Sequence, residues 1–376
     1  MRVKLEEVCH INMGQSPSSS TYNEKGMGLP FFQGNADFGE LHPSVRVWCS
    51  SPTKTANVGD ILISVRAPIG AMNIADCSCC IGRGLAALTV DYKKIETKYL
   101  WYYLNYNIEE LKAKGTGSTF KAINRKALEE TEIPLPPLPE QRRIAAVLDK
   151  VSKLIALRKR QLDLLDEMVK ARFVEMFGTI NENPKHYPMA MLKDICHKIT
   201  DGKHGGCEQE SNSGYFYVGA REIFDNSIHY ETAPQITYTD FAKDYKRCNI
   251  EVGDFVIVNT GATIGKSAIA TSPLTERTLL QKSVALLKVN TEHILSEFLR
   301  YCYIVNPSMY MVESASAQPN LLLSKIKTTV VYTPPIKLQN QFADFVQQVD
   351  KSKAAVQQGL DRLILLKSAL MQEYFG

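Results

Sequence analysis

The chain has 376 residues, 44% of them hydrophobic and 22% charged, with a formal net charge of +4. It is too apolar for a disordered chain and too long for one core of about 100–200 residues, so two globular units are expected, with a slight charge bias toward an anionic partner such as nucleic acid. No apolar run reaches the roughly 18 residues of a bilayer span, MRVKLEEVCHI lacks the apolar core of a secretion signal, and the nine cysteines lack the spacing of a disulfide framework, so a cytoplasmic protein with reduced thiols is expected, with no membrane partner.

In chain order, the apolar segment LEEVCHI at Leu5 leads into turn-rich GQSPSSSTYNEKGMG and then FFQGNADFG. A VGD turn enters ILISV, whose β-branched and apolar content predicts a buried strand, and GLAALTVD predicts another. TKYLWYYLNYNIEELKAK has helical length and periodicity. The prolines of IPLPPLPEQ then form an extended stop before a long helix.

The same order returns from Leu192: LKDICHK, the loop TDGKHGGCEQESNSG, YFYVGAREIF, VGD into FVIVN, SVALLKVN, EHILSEFLRYCYIV, VVYTPPIKLQ and a second long helix. The helices align without a gap, with Gln141/Gln339, Ala145/Ala343, Asp163/Asp361, Glu175/Glu373 and Phe177-Gly178/Phe375-Gly376 identical. The offset is 187 at Leu5/Leu192, 194 at Val58/Val252 and 199 at Val90/Val289, so the second copy carries about seven extra residues in its Gly-, Ser- and Asn-rich stretch. Loops absorb such changes, which predicts one scaffold with two different reading edges.

Along the first helix, positions 144, 148, 151, 155, 158, 162, 165, 169, 172 and 176 form a 3-4 alternating seam that is apolar except at Arg158 and Arg172; its copy from Phe342 departs only at Lys353 and Lys367. That is a coiled-coil pattern, and each helix needs a partner. The readiest partner is the other, joined to it antiparallel through a compact domain. At 1.5 Å per residue the pair forms a rod of roughly 55 Å, longer than one turn of DNA at about 34–36 Å. The expected fold is α+β with an internal pseudo-twofold repeat: globular domains at 1–135 and 179–333, and spacer helices at 136–178 and 334–376.

Chemical motifs are incomplete. GATIGKS at Gly261 has three residues between Gly and GK where a phosphate loop needs four, and GRGLAA at Gly82 leads into a strand instead of a helix. Cys77, Cys79 and Cys80 lack a second ligand pair nearby, and Cys196-His197 repeats as Cys9-His10 while His204 and Cys207 have no counterparts. No catalytic arrangement, metal site or cofactor is assigned. For nucleic-acid contact, basic and amide side chains on the variable loops are the candidates. In the first half these are Gln15, Ser16, Ser18, Arg46, Arg66, Lys121 and Arg125; in the second, Lys203, His204, Arg221, Lys243, Lys246, Arg247, Lys266 and Gln318. A solvated surface role is the alternative for each.

PLPPLPEQRRIA with its long helix ending in FG, GQSPSSSTYNEKGMGLPFFQGN, the two VGD strands and SAQPNLLLSKI together resemble the DNA specificity subunit of type I restriction-modification systems, over essentially the whole chain. The second copy replaces the EQRR motif with Leu338, Gln339, Asn340 and Gln341. The resemblance implies two target recognition domains, each reading one half of a bipartite asymmetric site in double-stranded DNA, with the helices setting the gap. It also implies two adenine-N6 methyltransferase subunits docked on the helices, which bring S-adenosylmethionine and flip the target base, and restriction subunits for translocation and cleavage. The chain itself would then be non-catalytic. The competing expectation is a standalone nucleotide- or S-adenosylmethionine-dependent DNA enzyme with a degenerate motif.

Overall fold

The computed structural model describes residues 1–115, 122–310 and 320–376. It divides into two compact units, 1–159 with 358–376 and 160–357.

The first unit is organised by a four-stranded antiparallel sheet in the order Cys9–Met13, Leu85–Val90, Ile61–Ser64, Met72–Ile74. The run Ile61-Leu62-Ile63 is apolar without alternation because both faces are covered. Ile61 and Ile63 join a core with Leu88, Tyr99 and Leu100, whereas Leu62 joins Phe32, Leu85 and Ala87 on the other face. Helix Thr97–Tyr106 lies over the first face, its N-terminus capped by the Glu96 side chain, which accepts from the Tyr99 N–H.

The second unit repeats this sheet as Cys196–Asp201, Val284–Val289, Phe255–Val258, Ser267–Ile269. The register repeats as well: Ile11 faces Leu88, which faces Ile61, and Ile199 faces Leu287, which faces Phe255. Phe255 and Ile257 point to one core and Val256 and Val258 to another, as in the first unit.

Outside this frame the copies diverge. The first builds a five-stranded sheet, Tyr22–Asn23, Trp48–Cys49, Leu29–Phe32, Cys79–Ile81, Thr55–Ala56, around a parallel central pair. The second keeps the parallel pair, Phe216–Val218 with Thr278–Leu280, and adds helix Tyr238–Cys248. This helix lies in a stretch that sequence reading treats as loop. Its start is fixed by Thr237, whose hydroxyl accepts from the Asp240 N–H at 3.3 Å, and its end by Asn249 in the left-handed conformation (φ 41°).

The long helices are Leu138–Phe177 and Ile336–Phe375, of 40 residues each. In the first unit the start of the central helix meets the end of the C-terminal one, with the Arg143 guanidinium 5.6 Å from the Tyr374 ring. In the second, Phe173 lies 5.3 Å from Phe342, Arg172 lies 6.0 Å from the Phe345 ring, and Lys353 Nζ donates to Asp166 at 2.6 Å. Numbers rise on one helix as they fall on the other, so the pair is antiparallel. Ile144, Leu148, Val151, Val169, Phe342, Val346, Val349, Val356 and Leu360 of the seam are buried. Among the described residues no helix is long and apolar enough to cross a membrane.

Candidate nucleic-acid interface

In the first domain the strands Cys9–Met13, Ile61–Ser64 and Leu85–Val90 open at one end of their sheet into loops that are bonded to one another. The Gly14 N–H donates to Leu85 O (2.9 Å), Gln15 N–H to Ile81 O (3.0 Å), Gly82 N–H to Phe32 O (2.8 Å), Val65 N–H to Gly84 O (2.9 Å) and Ile123 N–H to Val65 O (2.9 Å). The second domain makes the same set. Gly202 N–H donates to Val284 O (3.2 Å), Lys203 N–H to Leu280 O (2.8 Å), Gln281 N–H to Val218 O (2.8 Å), Asn259 N–H to Ser283 O (3.0 Å) and Leu321 N–H to Asn259 O (2.7 Å). Glycine opens the platform in both copies because the backbone passes too close for a side chain. A Cβ at Gly14 would lie 2.2 Å from Gly82 O, and one at Gly202 would lie 2.1 Å from Leu280 O.

This frame sorts the candidate side chains. Gln15 is exposed on the first platform, where Ser16 Oγ accepts from the Arg83 N–H at 3.2 Å; Arg66 is exposed beside them. Ser18 Oγ lies 2.8 Å from Ser20 Oγ. Arg46 is ion-paired to Asp37 and donates to Ala36 O at 2.9 Å, while Asp37 also accepts from the Gln33 N–H at 2.8 Å. Those groups and the stacked rings of Tyr22 and Phe31, 4.6 Å apart, line a cleft on the five-stranded sheet. Arg125 lies elsewhere, bonded to Glu129 at 2.7 Å beside the carboxylates of Glu6 and Glu7. Lys121 and Gln318 lie outside the described residues.

In the second domain carboxylates of the inserted helix neutralise Lys203, and Asp201 at the end of strand Cys196–Asp201 pairs with Arg247 and His204. The Lys203 ammonium, 13% exposed, lies 2.8 Å from Asp244 and 3.4 Å from Asp240, and the hydrogen bond to Asp244 holds it above the usual lysine range. Arg247 and His204 both contact Asp201. Burial would raise the Asp201 carboxyl, but the hydrogen bonds from Arg247 and His204 outweigh it and hold the group below the usual carboxylate range. Arg221, Lys243, Lys246 and Lys266 are exposed, with no ion pair among the described residues.

Two exposed cations went unnoticed in the sequence: Arg83 on the turn between Cys79–Ile81 and Leu85–Val90, and Lys282 on the matching turn 199 residues later. The offset alone would have aligned them. Gln33, exposed on the neighbouring loop, was missed as well.

The other motifs resolve into scaffold. GATIGKS closes the hairpin between Phe255–Val258 and Ser267–Ile269, where Gly265 N–H donates to Val258 O at 3.0 Å; no helix follows to receive a phosphate. Among the described residues no group of three His, Cys, Asp or Glu side chains could hold a metal ion, and the cysteines are free thiols.

The family model for the type I restriction modification DNA specificity domain matches residues 1–167 and 184–364. The type I restriction enzyme MjaX specificity subunit of Methanocaldococcus jannaschii is 43% identical over 165 residues, 44% of this chain; the chain spans 39% of that relative's length. The MjaIX specificity subunit of the same organism is 23% identical over 380 aligned positions, covering 92% of this chain and 85% of that one. The crystal structure of a type I restriction-modification S subunit from M. genitalium has the same fold, with a TM-score of 0.61 at 17% identity, over 100% of this chain and 96% of that one. With two copies of the matched domain, built on one repeated sheet and loop platform, this chain belongs to the type I restriction-modification DNA specificity family.

Proposed function

We propose that the chain is the address-giving subunit of a type I restriction-modification complex: each globular domain reads one half of a bipartite, asymmetric site in double-stranded DNA. The observation that carries this reading is the repeated loop platform beside unlike edges. The frame would present both domains to the same polymer, and the five-stranded sheet of one and the inserted helix of the other would read different bases. Exposed Arg66 on the first domain and Arg221, Lys243, Lys246 and Lys266 on the second are retained as contacts; Gln15, Ser16 and Ser18 add polar groups to the first edge. Lys203 and Arg247 are read as braces between the platform and the inserted helix, and Arg46 as a brace of the cleft.

The paired helices would set the spacing between the half-sites and carry two adenine-N6 methyltransferase subunits. Leu154, Leu157, Leu164 and Met168 are each 40% or more exposed along the central helix, an apolar stripe in search of a cover. Methylation would be the work of those partners, and cleavage that of restriction subunits, in the cytoplasm; this chain would supply recognition without chemistry.

The test is selection from a randomised duplex library with the chain assembled on its methyltransferase partners. The expected product is two short defined sequences at one fixed spacing. Binding that ignores sequence at moderate salt would reject the reading.

A further inference from the structure

Resting on that reading, we propose that Arg83 and Lys282 are one DNA contact made twice: each neutralises a backbone phosphate of its own half-site from the turn at the centre of the loop platform. Among the described platform residues, this is where both domains carry a cation. Arg66 is matched by Thr260, and Lys203 by Gln15.

Three observations carry the assignment. First, both turns are rigidly placed. The Arg83 N–H donates to Ser16 Oγ at 3.2 Å, the Lys282 N–H to Lys203 O at 3.0 Å, and each turn is held on the adjacent loops by the hydrogen bonds common to both domains. Second, both side chains are exposed and lack a carboxylate partner among the described residues, in contrast to Arg46, Lys203 and Arg247, whose charges are satisfied within the protein. An unpaired cation on a fixed turn is free to release a counterion from DNA. Third, the position is common to two domains that read different sequences. A feature they share can only recognise what the half-sites share, and that is the sugar–phosphate backbone.

The division of labour follows. The shared frame anchors DNA, and the unshared edges, the Tyr22–Arg46 cleft and the Tyr238–Cys248 helix, discriminate between bases.

The experiment uses the chain assembled with its methyltransferase partners, on duplexes carrying the selected site and on duplexes with single base changes in either half. Arg83→Gln, Lys282→Gln and the double variant are titrated between about 50 and 200 mM salt. Each single variant is expected to flatten the slope of log affinity against log salt by about 0.9, and the double by about 1.8, with the ranking of duplex sequences unchanged. Arg83→Lys should restore the slope, and thermal unfolding of the variants should match the wild type. An unchanged slope overturns the proposal, as does a changed preference at one base pair, which would mark a base contact. Indifference of the wild-type complex to sequence would instead defeat the specificity reading itself, before any variant is compared.

Discussion

Gln141 and Gln339, one on the first turn of each long helix, are fully buried and make the same three hydrogen bonds in their own domains. Gln141 Oε1 accepts from the Glu96 N–H at 2.9 Å and its Nε2 donates to the carbonyls of Lys94 and Pro136; Gln339 does the same with Leu295, His293 and Pro334. Each amide ties the first turn of its long helix to the backbone of its own domain. Gln141→Leu or Gln339→Leu strands three backbone groups and should cost about 3 kcal/mol by denaturant unfolding, whereas Gln347→Leu on the exposed face should change stability by under about 0.5 kcal/mol. Equal effects would mean the buried amides do not hold the junction.

Phe375 closes the last turn of the C-terminal helix onto the first domain, with its ring 5.5 Å from Tyr99 and 5.6 Å from Tyr103. Phe177 does the corresponding job on the second domain, 4.9 Å from Phe298. Phe375→Ala should cost about 3–5 kcal/mol and abolish hydrogen-exchange protection over residues 364–375. Retained protection there would show that the end of the helix is held by its seam alone.

Lys367 occupies a seam position over the Tyr102 ring, 5.7 Å away. Burial, with repulsion from Lys159 second, lowers its pKa. The charged form is therefore disfavoured by folding, and stability is lost at every pH below the unfolded lysine's value of about 10.4. Lys367→Met should stabilise the protein by about 1 kcal/mol at pH 7, and the advantage should narrow as the pH approaches 10. A destabilised variant would show that the contact with the ring outweighs desolvation.

Asp201 gives the opposite sign. Its carboxyl is held below the ordinary value of about 3.9, so its contribution is complete above that pH and is lost as pH falls through the lowered folded-state value. The stability gap between wild type and Asp201→Asn should be present at about pH 5 and shrink as the pH falls below about 4. A gap that does not shrink on acidification would show that it does not come from the ionised carboxylate and its bonds to Arg247 and His204.

Long-range periodicity made the helices legible, because a 3-4 seam over 40 residues has no other economical burial. The offsets also located where the copies diverge. They did not reveal helix Tyr238–Cys248, which buries little beyond Phe241 and Cys248 and is polar around them, although Thr237, Asp240 and Asn249 mark its ends. The candidate site was legible as a list of cations but not as a sorting of them. Lys203 meets Asp240 and Asp244 only through the fold, and nothing local distinguishes it from unpaired Lys243. Arg83 was hidden by its setting, since GRGLAA invites comparison with a nucleotide motif instead of with Gln281-Lys282-Ser283 of the second copy.

The paired helices, as proposed, measure the distance between two independent readings. Removing residues 155–161 and 356–362 together keeps the antiparallel seam in step and shortens the pair by about 10 Å, or about three base pairs. In library selection, the assembled variant should recover both half-sites unchanged at a shorter spacing. An unchanged spacing, or an altered half-site, would contradict the account.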